Sequence, residues 1–177
     1  LKEAREIDHA LTLMFALVWA LNAHFYRGNY ATAEALADEL VAMADERGSA
    51  LWKAFGVVFQ GRLMALTGKP ADAVETINAG LAGWRSTGAT VFRPMWLSSL
   101  ASAHADLYRF DDAWRYSGEA MTAIETNKER WCEAEVNRIA GLIALKPREP
   151  DTVKAQEYFE RALAVARQQQ AKSWELR

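Results

Sequence analysis

The stretch TGKPADA, Thr67 to Ala73, decides the fold, because two other stretches align with it. They are RGNYATA, Arg27 to Ala33, and LYRFDDA, Leu107 to Ala113. Each ends in alanine, at Ala33, Ala73 and Ala113, so the interval is 40 residues and then 40. A fourth copy, PDTVKA, ends at Ala155 after an interval of 42, with the proline-containing insertion KPREP just before it. Short runs of Gly, Pro, Asn and Asp between apolar segments mark turns. Their return at a fixed period of this size marks a stack of repeated units.

Residues on either side of the turn keep the same period. Four after the alanine stand Ala37, Ile77, Ser117 and Phe159; seven after it, Leu40, Gly80, Ala120 and Ala162; eight after it, Val41, Leu81, Met121 and Leu163. Positions i, i+4, i+7 and i+8 share one face of a helix, so these form a buried stripe. Twelve before the alanine stand Leu21, Gly61 and Ala101, with Gly141 in register once the insertion is allowed for. A small residue there lets two helices approach closely. Gly48 and Gly88, again 40 apart, fall where glycine closes a helix.

Each unit is therefore a helical hairpin. The pattern predicts helices near residues 3–26, 30–46, 50–67, 70–86, 92–108, 110–126, 129–146 and 151–169, with another starting near Ala171. The expected fold is all-α: a right-handed superhelix of about four hairpins with a concave groove, because one hairpin cannot bury its apolar face alone. The whole chain, 1–177, reads as one helical-repeat domain with units at about 3–47, 48–87, 88–127 and 128–170 and the start of a further helix at 171–177. Starting at Leu1 and stopping at SWELR, it reads as a segment of a longer protein.

A formal charge of −2, with no run of Lys or Arg, gives no pull toward nucleic acid or acidic membranes, and neither is expected as a partner. The apolar run Ala10 to Ala23 is shorter than the roughly 20 residues that cross a bilayer, so a buried helix is expected there. The opening LKEAREIDHA is not a signal peptide. A single cysteine, Cys132, excludes an internal disulfide and fits the cytoplasm.

With TGKPADA, Gly61 and Ala73 in place, the chain resembles the tetratricopeptide-repeat family. Its period is longer than that family's short form, Leu21 replaces a small residue, and the proline that closes the second helix is missing. These departures suit long-helix variants of bacterial signalling proteins. STGATVFRPMW, TNKERWCEAEVNRIAG and FERALAVARQQQAKSWELR resemble the C-terminal repeat region of large bacterial regulators. Such proteins place a class III adenylate/guanylate cyclase domain, or a winged-helix DNA-binding domain, before an ATPase domain, and the repeats last. The resemblance implies a sensor or interaction segment; it says nothing of which output domain precedes it.

ERWCEAEVNRIAG, Glu129 to Gly141, concentrates five charges, Trp131 and Cys132. Glu129 and Glu133 suit the positive end of a helix. Glu135 and Arg138 can pair across one turn, for a few tenths of a kcal/mol when exposed. Three readings stay open: a solvated face carrying that pair, a groove contact to a ligand or partner, or catalysis, for which no nucleophile and base can be read. His24 and His104 are two repeats apart, too far for one metal, and are expected to pack; Cys132 is expected to pack as well.

No phosphate loop and no nucleophile elbow is present. TGKP shares part of a phosphate loop, but its equivalents RGNY and LYRF show it to be a turn. No catalytic residue, metal or cofactor is therefore expected. First helices should line the groove, with Asn22, Arg62 and Ser102 at one repeated position and Tyr26, Arg93, Asp106, Glu135 and Arg138 near it. Trp96 and Trp131 are expected as partial groove aromatics. The mixed charge suits a peptide, a protein, a neighbouring domain of a parent chain or a small polar ligand. The reading is a non-catalytic interaction or sensor module; a free-standing scaffold and the sensor arm of a transcription regulator are the alternatives. Leu13, Phe15, Leu17 and Trp19 give the first helix an apolar surface, so a homodimer through a terminal helix is expected.

Overall fold

A computed structural model describes residues 1–7 and 9–176. Among these the secondary structure is all helical, with no strand, and consecutive helices pack as pairs. The expected all-α helical-repeat fold is what the chain adopts. It divides into two compact units, Leu1–Ala89 and Thr90–Arg177.

Unit 1 contains α1 (Lys2–Glu6), α2 (Ala10–Tyr26), α3 (Tyr30–Glu46), α4 (Ala50–Leu66) and α5 (Pro70–Ser86). The single helix expected over 3–26 is two. His9 breaks it: its backbone is extended, and its Nδ1 accepts the Thr12 N–H at 3.3 Å, capping α2. Helices α2 to α5 each have 17 residues and are joined by three-residue turns. The turns share one chemistry. At Gly48, with φ at 65°, the Gly48 N–H meets the Asp45 carbonyl at 3.1 Å, and the Ser49 N–H meets the Ala44 carbonyl at 2.7 Å. These two bonds satisfy helix-end carbonyls and require a left-handed residue. Gly28, Gly68 and Gly88 are left-handed too, and so are Tyr108 and Lys128, with φ at 58° and 59°. A left-handed residue thus recurs every 20 positions from 28 to 128.

The core of unit 1 is the predicted stripe. Ala33, Ala37, Leu40, Ala73, Ile77 and Leu81 are buried, together with Leu17, Leu21, Phe55, Val58 and Phe59. Each large side chain among them contributes about 1.5–3 kcal/mol by leaving water. Helices α4 and α5 touch through glycine. A Cβ on Gly61 would stand 2.9 Å from the Ile77 nitrogen, and one on Gly80 would stand 2.9 Å from the Val58 nitrogen. The small residue twelve before the repeat alanine is therefore a helix-crossing point, as its position predicts.

Unit 2 contains α6 (Arg93–Asp106), α7 (Phe110–Asn127), α8 (Glu133–Leu145), α9 (Thr152–Gln168) and the short α10 (Lys172–Glu175). Ala101, Ala105, Ala113, Ile139 and Ile143 form one buried cluster, with Phe110, Trp114 and Tyr116 packed against it. The Gly141 crossing recurs: a Cβ there would meet the Phe159 ring at 2.6 Å. Helix α8 starts at Glu133, not at 129 as expected. Glu129 lies before the helix, where its Oε1 accepts the Phe92 N–H at 2.7 Å and the Trp131 indole N–H at 2.6 Å. Phe92, left-handed at φ 66°, begins α6. A tertiary bond between two turns thus replaces the first turn of α8 that the pattern suggested.

Candidate functional site

The predicted groove residues fall into two groups, one in each unit. In unit 1, Asn22, Tyr26 and Arg62 come from α2 and α4. Arg62 is buried, at 6% exposure. Its Nη2 donates to the Tyr26 hydroxyl at 3.3 Å, and its guanidinium carbon stands 4.2 Å from the centre of the Phe25 ring and 4.6 Å from that of Phe59. Asn22 turns its amide back onto its own helix, donating to the Val18 carbonyl at 2.8 Å.

Unit 2 holds a cleft of about 350 Å³ bounded by α8, α9 and α10. Ala134, Leu142, Phe159, Ala162, Leu163 and Trp174 supply its apolar walls, and Glu135, Arg138 and Glu175 its charges. Glu135 and Arg138 form the expected pair, with both carboxylate oxygens engaged: Arg138 Nε to Oε2 at 2.7 Å and Nη2 to Oε1 at 2.9 Å. Of the readings left open for this pair, the solvated face is overturned. Glu135 is 4% exposed, and its neighbour Ala134 packs with Val165, Ala166 and Trp174. A two-pronged, partly buried pair is stronger than a surface one. The carboxylate raises the Arg138 pKa above its usual value, chiefly through the hydrogen bond.

Helix α10 sits at the cleft through Trp174, which packs on Ala134, Val165 and Ala166. Glu175 is tied to Lys172 at 2.7 Å and to Arg167 at 3.1 Å. These two cations hold its carboxyl below the usual range, Lys172 most.

Other predicted residues take different roles. Trp96 is corrected: at 1% exposure it is core, stacked on Phe92 with ring centres 6.0 Å apart, and lines no groove. Trp131 is exposed, edge-on to Phe92 and anchored by Glu129. Asp106 is ion-paired with Lys146. Ser102 and Arg93 are half-buried on α6. Cys132 is buried at the start of α8, and His104 packs, stacked on Tyr116 with ring centres 5.2 Å apart. Among the described residues no group of three or more His, Cys, Asp or Glu is placed to hold a metal ion, and no helix is long and apolar enough to cross a membrane.

No family model matches the chain, and no curated protein is significantly similar to it.

Sequence reasoning missed Phe159, Leu142, Trp174 and Glu175 as cleft residues. The period places Phe159 on the buried stripe, and Gly141 opposite it signals a close crossing. Only the three-dimensional packing shows that the crossing leaves a cavity beside it. It also missed Phe25 and Phe59 around Arg62, although both stand one helical turn from groove positions.

Proposed function

We propose that the chain is a non-catalytic helical-repeat interaction module whose unit 2 cleft receives an apolar side chain of a peptide, a protein or a neighbouring domain. The observation that carries this reading is the cleft itself. It is concave and mostly apolar with few polar groups, the usual make-up of a binding pocket. Both oxygens of Glu135 accept from Arg138, which suits the pair to orienting a ligand rather than to passing protons. A small polar ligand is the alternative occupant.

Selection of displayed peptides on the immobilised chain tests this. Enriched peptides should carry an aromatic or aliphatic anchor, and Leu142→Asp should weaken their binding at least tenfold. Leu142 is partly exposed at the cleft, so the change need not disturb the core. Failure to enrich any peptide, or binding indifferent to Leu142→Asp, overturns the reading.

The tetratricopeptide-like pattern and the three sequence strings named above support a wider role. In it the module is a sensor segment of a bacterial cytoplasmic signalling protein, relaying binding to an ATPase domain and then to a nucleotide cyclase. A transcription regulator's sensor arm and a free-standing scaffold are the competing readings. The reading frame upstream of Leu1 separates them: cyclase and ATPase sequences support the first, a winged-helix domain the second, and an immediate start codon the third.

A homodimer through α2 belongs to the same proposal. Leu11, Phe15 and Trp19, four residues apart, are all more than half exposed, and α2 carries no Asp, Glu, Lys or Arg. Leu17, expected on that surface, is instead fully buried, and Leu13 is half-buried. Light scattering at tens of micromolar should give a dimer that Trp19→Glu dissociates. A monomer would remove this part of the proposal.

A further inference from the structure

Arg62 carries a positive charge into the interior of unit 1, and among the described residues no carboxylate pairs with it. The described ion pairs of that unit join Arg5 to Glu39, Arg47 to Glu46 and Lys53 to Asp45, and none includes Arg62. A guanidinium has five N–H donors. Among the described residues its one hydrogen bond is the long contact from Nη2 to the Tyr26 hydroxyl, while Nε is buried with no acceptor. Burying a charge this way is unfavourable unless something compensates it.

Aromatic rings supply part of that compensation, and their placement shows what remains. The Phe25 and Phe59 centres are 5.4 Å apart, far closer than two rings on opposite faces of one guanidinium could be. Both rings therefore lie on the same side of the guanidinium carbon. Their π-faces attract the cation, but they satisfy no N–H. What is left is a buried Nε–H without an acceptor, beside an aromatic wall that the Tyr26 ring, 5.7 Å from the guanidinium carbon, extends.

We propose that Arg62 is an anion-recognition point that takes the planar carboxylate of a small ligand bearing a flat apolar group. The guanidinium edge matches a carboxylate in two parallel hydrogen bonds. One buried positive charge is neutralised by one negative charge, so a monoanion fits better than a phosphate dianion. The aromatic wall gives the ligand's apolar part a surface to rest on. The site lies wholly in unit 1 and stands or falls independently of the unit 2 cleft.

The test is a titration of the chain with sodium benzoate at fixed ionic strength, following the Arg62 Nε–Hε resonance by NMR and the melting temperature. The expected result is a saturable downfield shift of that resonance and a rise in Tm, because a ligand that binds only the folded state stabilises it. Benzamide and sodium chloride should give neither effect, and Arg62→Met should abolish the Tm rise. No saturable shift with benzoate, an equal response to benzamide, or a stronger response to inorganic phosphate would overturn the proposal. So would a Tm rise that persists in Arg62→Met. If that variant fails to fold, the wild-type resonance decides alone.

Discussion

The Cα of Gly61 in α4 faces the backbone of Ile77 in α5 so closely that an added methyl would lie 2.9 Å from the Ile77 nitrogen and 3.2 Å from the Ala73 carbonyl oxygen. Backbone cannot swing away as a side chain can. Gly61→Ala should therefore destabilise the fold by about 1–3 kcal/mol, even though alanine is the better helix former. Gly118, inside α7, is the control: nothing lies within 4 Å of an added Cβ. Gly118→Ala should stabilise by about 0.5–1 kcal/mol. Urea unfolding of the two variants should give shifts of opposite sign.

Lys128 occupies a left-handed position that four of its five equivalents fill with glycine. Its Cβ crowds the backbone there. Lys128→Gly should relieve more strain than it adds unfolded-state entropy, raising stability by about 0.5–1 kcal/mol. A drop in the urea midpoint would show that the Lys128 side chain makes a compensating contact.

Glu129 holds two donors at once, the Phe92 amide and the Trp131 indole. Glu129→Ala leaves the partly buried Phe92 N–H without this acceptor and should cost about 1–3 kcal/mol. The indole of Trp131 should become more mobile, read as increased acrylamide quenching of tryptophan fluorescence. Unchanged stability would mean that water replaces the carboxylate without loss.

His104 gives the fold a pH dependence with a definite sign. Burial lowers its pKa from the ordinary 6.5, while Asp112 opposes the shift and Arg109 and Arg115 add to it. In the window between the folded and unfolded values, the unfolded chain binds more protons, so stability falls as pH drops through that window. Above 6.5 the contribution is fully present; below the folded value it no longer changes. Urea midpoints measured between roughly pH 5 and 8 should decline on the acid side, and His104→Gln should flatten that decline.

Much of this architecture could be read in the sequence because its determinants are local. A left-handed cap asks for glycine, a close crossing asks for glycine or alanine, and both repeat at a fixed distance; hence Gly48, Gly88, Gly61 and Gly141 carried correct readings. The Glu135–Arg138 pair was also legible, since i,i+3 neighbours meet on any helix. The late start of α8 was not. It depends on Glu129 reaching the Phe92 amide 37 residues away, and no periodicity encodes that bond. The burial of Trp96 and Arg62 and the cavity beside Gly141 escaped for the same reason: each is set by what a second helix brings to the position.

The regular spacing of left-handed residues from 28 to 128 bears on how such a gene can grow. One residue inserted inside a helix turns everything beyond it by about 100° and carries the apolar stripe off the core. Forty residues copied in tandem within that interval bring two whole turns and two whole helices, and every downstream side chain keeps its facing. Lengthening by whole hairpins thus keeps the register, while an insertion of one or two residues inside a helix destroys it.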